Sequence, residues 1–107
     1  MAVVEVGRTE RPVRVDPGDV VVVRLPENPT TGFVWSVSVS DPEVLTVEAE
    51  QLTGRDRSTA GGGGEREFRL RSRAGSPGTA RVTLALSRPW ESTPLEERTL
   101  LVQVGTG

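Results

Sequence analysis

The sequence predicts an all-β fold, an immunoglobulin-like β-sandwich of seven to eight antiparallel strands. Three observations carry that expectation. Apolar and polar residues alternate along most of the chain, the period of strands buried on one face. Turn-forming clusters interrupt these runs at short intervals. The 8 prolines are spread widely enough to leave little room for a long helix. An up-and-down barrel or a jelly roll is the alternative arrangement of such strands. The length, 107 residues, is that of a single domain, taken here as 1–107. A domain of this size buries about two-thirds of its unfolded surface, enough for one modest core.

Taken in order, the first strands are read at 2–7 and 11–15, where Val13 and Val15 flank Arg14. Asp16-Pro17-Gly18-Asp19 is a turn, and Val20 to Val23 is a β-branched run suited to a strand covered on both sides, within 19–25. A strand at 33–40 sets Val37 and Val39 against Ser36, Ser38 and Ser40. Trp35 is expected in the core, like the strand-C Trp of immunoglobulin sandwiches. After Asp41-Pro42, residues 44–52 fit a helical face (Leu45, Ala49, Leu52) as well as a strand (Leu45, Val47, Ala49). A strand at 45–51 is preferred because its neighbours are strands. Leu52 to Ala60 reads as a solvated loop. Strands at 65–73, 79–87 and 96–104 complete the set, with Phe68 and Leu70, then Val82, Leu84 and Leu86, on the buried parity.

Composition narrows the function. The chain has no Cys and no His, which excludes zinc, haem and iron–sulfur ligation by those residues, and Cys, His or Ser-His-Asp catalysis. The carboxylates scatter over strands and loops, and a small sandwich has little room for a deep pocket, so an enzyme is not expected. No cofactor and no metal are expected. A formal net charge of -2 makes no electrostatic case for nucleic acid or for an anionic membrane. No apolar run approaches the roughly 18 residues of a membrane-spanning helix. The opening Met1-Ala2-Val3-Val4-Glu5-Val6 lacks the basic start and long apolar stretch of a secretory leader. A cytoplasmic protein is therefore expected, or a secreted or periplasmic one if a leader has been removed. Nothing requires more than a monomer.

Three connections differ from plain turns. In Asn28-Pro29-Thr30-Thr31-Gly32, followed by Phe33, Pro29 restricts one dihedral, Gly32 can take a positive φ, and Asn28 can bond to the backbone further on. The result is a stiff loop presenting two hydroxyls, or else an ordinary strand connection. Gly61-Gly62-Gly63-Gly64 leaves the backbone bare for a close main-chain approach, or forms a flexible loop tip. Arg88-Pro89-Trp90 puts a Trp in a polar turn, either exposed as a binding residue or folded back onto the sandwich. Arg88 either contacts a partner or pairs with a loop carboxylate such as Glu91. With 2–15 counted as one strand region, these three are every second connection, so all three gather at one end. The other end keeps the plain turns at 16–18, 41–42 and 75–78, an asymmetry that points to a binding end on a rigid scaffold.

In this order and spacing, Asn28-Pro29-Thr30-Thr31-Gly32-Phe33-Val34-Trp35, the Gly61–Gly64 run and Arg88-Pro89-Trp90 resemble the motifs of the chagasin family, inhibitors of papain-like cysteine peptidases. The resemblance implies an immunoglobulin-like sandwich with the three loops in a row. It implies a reversible, non-covalent inhibitor that wedges into the protease cleft. Thr31 would then lie nearest the catalytic Cys of the enzyme. The glycine loop would run along one side through main-chain hydrogen bonds, and Trp90 would pack on aromatic surface on the other. The alternative is a non-inhibitory module that uses the same loops for another protein or a glycan.

Overall fold

A computed structural model describes residues 3–6, 12–28, 31–54, 64–73 and 78–105. Eight strands run through them: β1 (Val3–Val6), β2 (Val13–Val15), β3 (Val20–Glu27), β4 (Val34–Val39), β5 (Leu45–Gly54), β6 (Gly64–Ser72), β7 (Gly78–Ser87) and β8 (Glu96–Val104). They form two four-stranded sheets, ordered β1-β3-β6-β5 and β2-β8-β7-β4. Between the sheets lies one core: Val21, Val23, Leu25, Leu45, Phe68 and Leu70 from the first, and Trp35, Val82, Leu84, Leu100 and Val102 from the second. The alternation read in the sequence sorts these side chains inward, because successive residues of a strand point to opposite faces.

The sandwich and its strands match the expectation, with one difference. The pairings β3–β6, β5–β6, β4–β7 and β7–β8 are antiparallel, whereas β1 runs parallel to β3 and β2 parallel to β8. The region 2–15 is therefore not one strand. The chain reverses at Asp16–Asp19, so β2 runs opposite to β3, and hence opposite to β1, and the two lie in different sheets. Apolar alternation reports which face a residue takes, but not which partner lies beside it. The loops after β3 keep their order, since the reversal from strand to strand that places them begins there.

Two local readings resolve through neighbouring strands. Residues 45–54 form a strand, ten residues long, that pairs with β6 along its length and carries a bulge between Val47 and Ala49. It extends three residues into the segment 52–60 read as loop; residues 55–60 lie outside the described ones. In β3 all four valines are buried: Val21 and Val23 enter the core, while Val20 and Val22 are covered on the opposite face. Pro26 is tolerated in β3 because the pairing with β1 ends at Val23, and among the described residues the end of β3 pairs with β6 alone.

Candidate functional site

The ends of six strands meet at one end of the sandwich. In the first sheet Gly64 is the register partner of both Glu27 and Gly54. In the second, Val34 lies opposite Ser87 and Leu86 opposite Glu96. The two sheets are tied here by the Trp35 amide, which donates to Glu27 Oε1 at 2.7 Å, and by the Trp35 indole N–H, which donates to the Pro26 carbonyl at 2.9 Å. The connections 28–33, 55–63 and 88–95 all leave from this end, as their position between alternate strands predicts. Pro29, Thr30, Gly61, Gly62 and Gly63 lie outside the described residues; the other eight candidate positions are placed.

The first loop is held by its own backbone. The Asn28 carbonyl accepts the Thr31 N–H at 3.2 Å and the Thr31 hydroxyl at 2.8 Å. That hydroxyl accepts the Phe33 N–H at 3.3 Å. Thr31 is exposed, yet its hydroxyl is spent within the turn and is not a free donor on display. Gly32 follows with φ of +82°, the left-handed conformation that glycine adopts at little cost. A Cβ there would also come within 3.3 Å of the Trp90 ring. Gly32 thus serves both the turn and the approach of the third loop.

Arg88 joins the first loop to the third. Its guanidinium carbon lies 4.3 Å from the centre of the Phe33 ring and 5.9 Å from that of Trp90. Its Nε donates to the Thr31 carbonyl at 3.3 Å, and its Nη1 stands 3.7 Å from Glu91 Oε1. The structural alternative for Arg88 is therefore realised, and Glu91 is its carboxylate partner. Cation–π contacts of this kind are worth about 0.5–1 kcal/mol at exposed sites. The Glu91 N–H closes the turn on the Arg88 carbonyl at 3.0 Å. Pro89 and Trp90 stand at its tip, both exposed.

The two tryptophans take opposite environments. Trp35 is 2% exposed, as expected of a core residue, whereas Trp90 is 73% exposed and does not fold back onto the sandwich. A large aromatic ring left in water, next to an arginine that holds its loop, is the side-chain type that dominates binding interfaces. Leu95 (65% exposed) and Val34 (39%) add apolar surface at the same end.

Gly64 is buried at the start of β6. A Cβ there would meet the Thr53 carbonyl oxygen at 2.9 Å, so a glycine is needed for the chain's own close approach. Beneath the loops lies a feature that motif reading passed over. The Glu27 carboxylate, 1% exposed at its side chain, receives Arg66 Nε at 3.2 Å and Nη2 at 2.7 Å. The hydrogen bond it donates to Glu27 raises the Arg66 guanidinium above its ordinary value, so it stays charged. Strand parity held the signal: Glu27 continues the inward set Val23 and Leu25, and Arg66 that of Phe68 and Leu70.

Among the described residues no cluster of His, Cys, Asp or Glu is arranged to hold a metal ion. What this end can do chemically is bind, through stiffened backbone, an exposed ring and a set of paired charges.

Comparison with known proteins agrees with this geometry. Chagasin of Trypanosoma cruzi is 36% identical over 78 residues, with 68% of each chain covered. Among solved structures, a cysteine protease inhibitor from Entamoeba histolytica superposes with a TM-score of 0.83 at 23% identity, covering 97% of this chain and 96% of the other. Amebosin superposes with a TM-score of 0.76 at 21% identity, covering 95% and 97%. At those identities the two structures speak for the fold. The family model described as "Chagasin family peptidase inhibitor I42" matches residues 14–104, nearly the whole sandwich and all three loops, and the chain belongs to that family.

Proposed function

We propose that this protein is a reversible, non-covalent inhibitor of papain-like cysteine peptidases that seats the loop end of its sandwich in the active-site cleft. Membership of a peptidase-inhibitor family supplies the class. The observation that carries the mode of binding is Trp90, 73% exposed at the tip of a loop that Arg88 fastens to the first loop. An inhibitor of this kind needs no nucleophile, and the chain has neither Cys nor His. It needs a surface ordered before binding, because pre-organised loops lose less entropy on association. The Thr31 turn and the Arg88 bridge supply that order.

In this reading the 28–33 loop lies over the catalytic Cys of the enzyme. With the Thr31 hydroxyl engaged by Asn28 and Phe33, the loop offers a closed turn that excludes water. The 61–63 segment contributes main-chain contacts along one wall, and Gly64 anchors its end within the ladder. Trp90 packs on the opposite wall. Such interfaces cover about 800 Å² per partner, within reach of three loops.

The test is a titration of papain activity with a fluorogenic peptide substrate, with a serine protease as control. Tight, reversible loss of papain activity alone is expected. Full papain activity at micromolar protein, with a native circular dichroism spectrum, would turn the reading toward the non-inhibitory binding module.

A further inference from the structure

We propose that the Glu27–Arg66 pair, a buried carboxylate and a partly buried guanidinium, is a positioning clamp that holds the base of the first loop, and the strand ends that flank the second, in their inhibitory arrangement. This rests on the loop end being the inhibitory surface. Glu27 is the last residue of β3, immediately before Asn28. Its carboxylate takes the amide of Trp35, in the strand that follows the same loop, at 2.7 Å. It also takes both arms of the Arg66 guanidinium, two residues beyond Gly64, where the glycine connection rejoins the sheet. One carboxylate thus touches the way into the first loop, the way out of it, and the way out of the second. Glu50 stands 3.9 Å from the other side of Arg66, on β5, which leads into that second loop.

The reason to assign this pair a positioning role is its location. Glu27 and Arg66 sit on the inward face, where Leu25 and Phe68 end the apolar core. For stability alone, a well-packed apolar pair serves as well as a buried ion pair, and often better, because both charges must be stripped of water. What apolar side chains lack is direction. A two-pronged carboxylate–guanidinium contact fixes angle as well as distance. Held so, the carboxylate presents one oxygen to the Trp35 N–H and sets the separation of the two sheets directly under the loops. No buried side-chain nitrogen or oxygen among the described residues lacks a hydrogen-bond partner, so the clamp is complete in the free protein.

The experiment compares the wild type with Glu27→Gln and with the double variant Glu27→Gln, Arg66→Met. Glutamine keeps an oxygen for the Trp35 amide, and the double variant leaves no unpaired buried charge, so its fold should survive. Two quantities are read: the inhibition constant for papain, and amide hydrogen exchange. In the double variant the inhibition constant should rise about tenfold, mainly through faster dissociation. Exchange at residues 31–35 should speed up, while protection at 68–70 and 82–84 stays native. Unchanged inhibition overturns the clamp, whatever the exchange shows. Equal loss of protection at the loop base and in the core strands overturns it too, because the pair is then merely structural. Should the wild type leave papain untouched, the inhibitory reading fails separately, and exchange at 31–35 alone decides whether the pair positions the loop.

Discussion

At the end of the sandwich that carries Asp16–Asp19, side chains bond inward to the backbone; at the end that carries 28–33 and 88–95, the Trp90 ring stands out in the solvent. The first end is stitched closed. Asp19 Oδ2 accepts the Asp16 N–H at 2.9 Å, and the buried Ser72 hydroxyl lies 2.8 Å from the Asp16 carbonyl and 2.9 Å from that of Asp19. Gly18 takes φ of +92° and donates to the Ser72 carbonyl at 3.1 Å. The second end uses the same kinds of device, a positive-φ glycine and a hydroxyl in a turn, but sets an exposed aromatic ring, Trp90, beside them, with Leu95 and Val34 also in water. The difference teaches that loop rigidity by itself marks no function. Rigidity combined with apolar surface left in water does, because folding alone would have covered that surface.

Substitutions at the two ends should separate binding from stability. The largest effect is expected from Trp90→Ala, which should weaken papain inhibition at least about 30-fold, roughly 2 kcal/mol. Its melting temperature should stay near that of the wild type, since the ring is mostly exposed. A variant that still inhibits fully would remove Trp90 from the binding surface. At the other end, Ser72→Ala should cost about 1 kcal/mol of stability in urea unfolding and leave inhibition unchanged, because a buried hydroxyl shared by two turn carbonyls is lost while each carbonyl keeps a backbone N–H donor.

The two positive-φ glycines offer a matched pair. Gly18→Ala meets open space, so only backbone strain opposes it, about 1 kcal/mol, and inhibition should not change. Gly32→Ala carries the same strain and also presses on the Trp90 ring, so inhibition should fall along with stability. Equal inhibition by the two variants would mean that Gly32 matters only to the turn. The smallest effect concerns alkali. The Arg66 guanidinium is raised above its unfolded value by the hydrogen bond it donates to Glu27. A raised folded value means that its contribution is complete below the unfolded pKa and is lost only as pH climbs through the folded one. Unfolding measured between about pH 7 and 10 should therefore show no loss attributable to this pair.

Much of this was legible beforehand, for identifiable reasons. Strand positions followed from period-two alternation and from the turn residues, both local properties. The face of Trp35, the positive φ of Gly32 and the gathering of three connections at one end followed from parity and backbone chemistry. The parallel pairing of β1 and β2 did not, because pairing partners lie 17 to 89 residues apart in register and alternation carries no information about them. Nor did the employment of the Thr31 hydroxyl, which depends on where the Asn28 carbonyl points. The Glu27–Arg66 pair was within reach of parity, which places both side chains inward, but attention to the loop motifs passes over two charges flanking them.

The amino-acid sequence by itself determined the class of fold, the order of its strands, the family and the loops that depart from plain turns. Those are properties of local chemistry: which residues alternate, which permit a turn, which cannot perform catalysis. Tertiary structure decided what each special residue touches. Arg88 is a bridge between loops, Gly64 is a close-packed ladder position, Trp35 ties its strand to Pro26 and Glu27, and Trp90 is surface. Each outcome depends on what another strand or loop places beside the residue: Phe33 and the Thr31 carbonyl for Arg88, the Thr53 carbonyl for Gly64, Pro26 and Glu27 for Trp35. A residue's role is set by the free energy of the surroundings it enters, and for these residues the surroundings exist only once strands have paired into sheets and the two sheets have closed on each other.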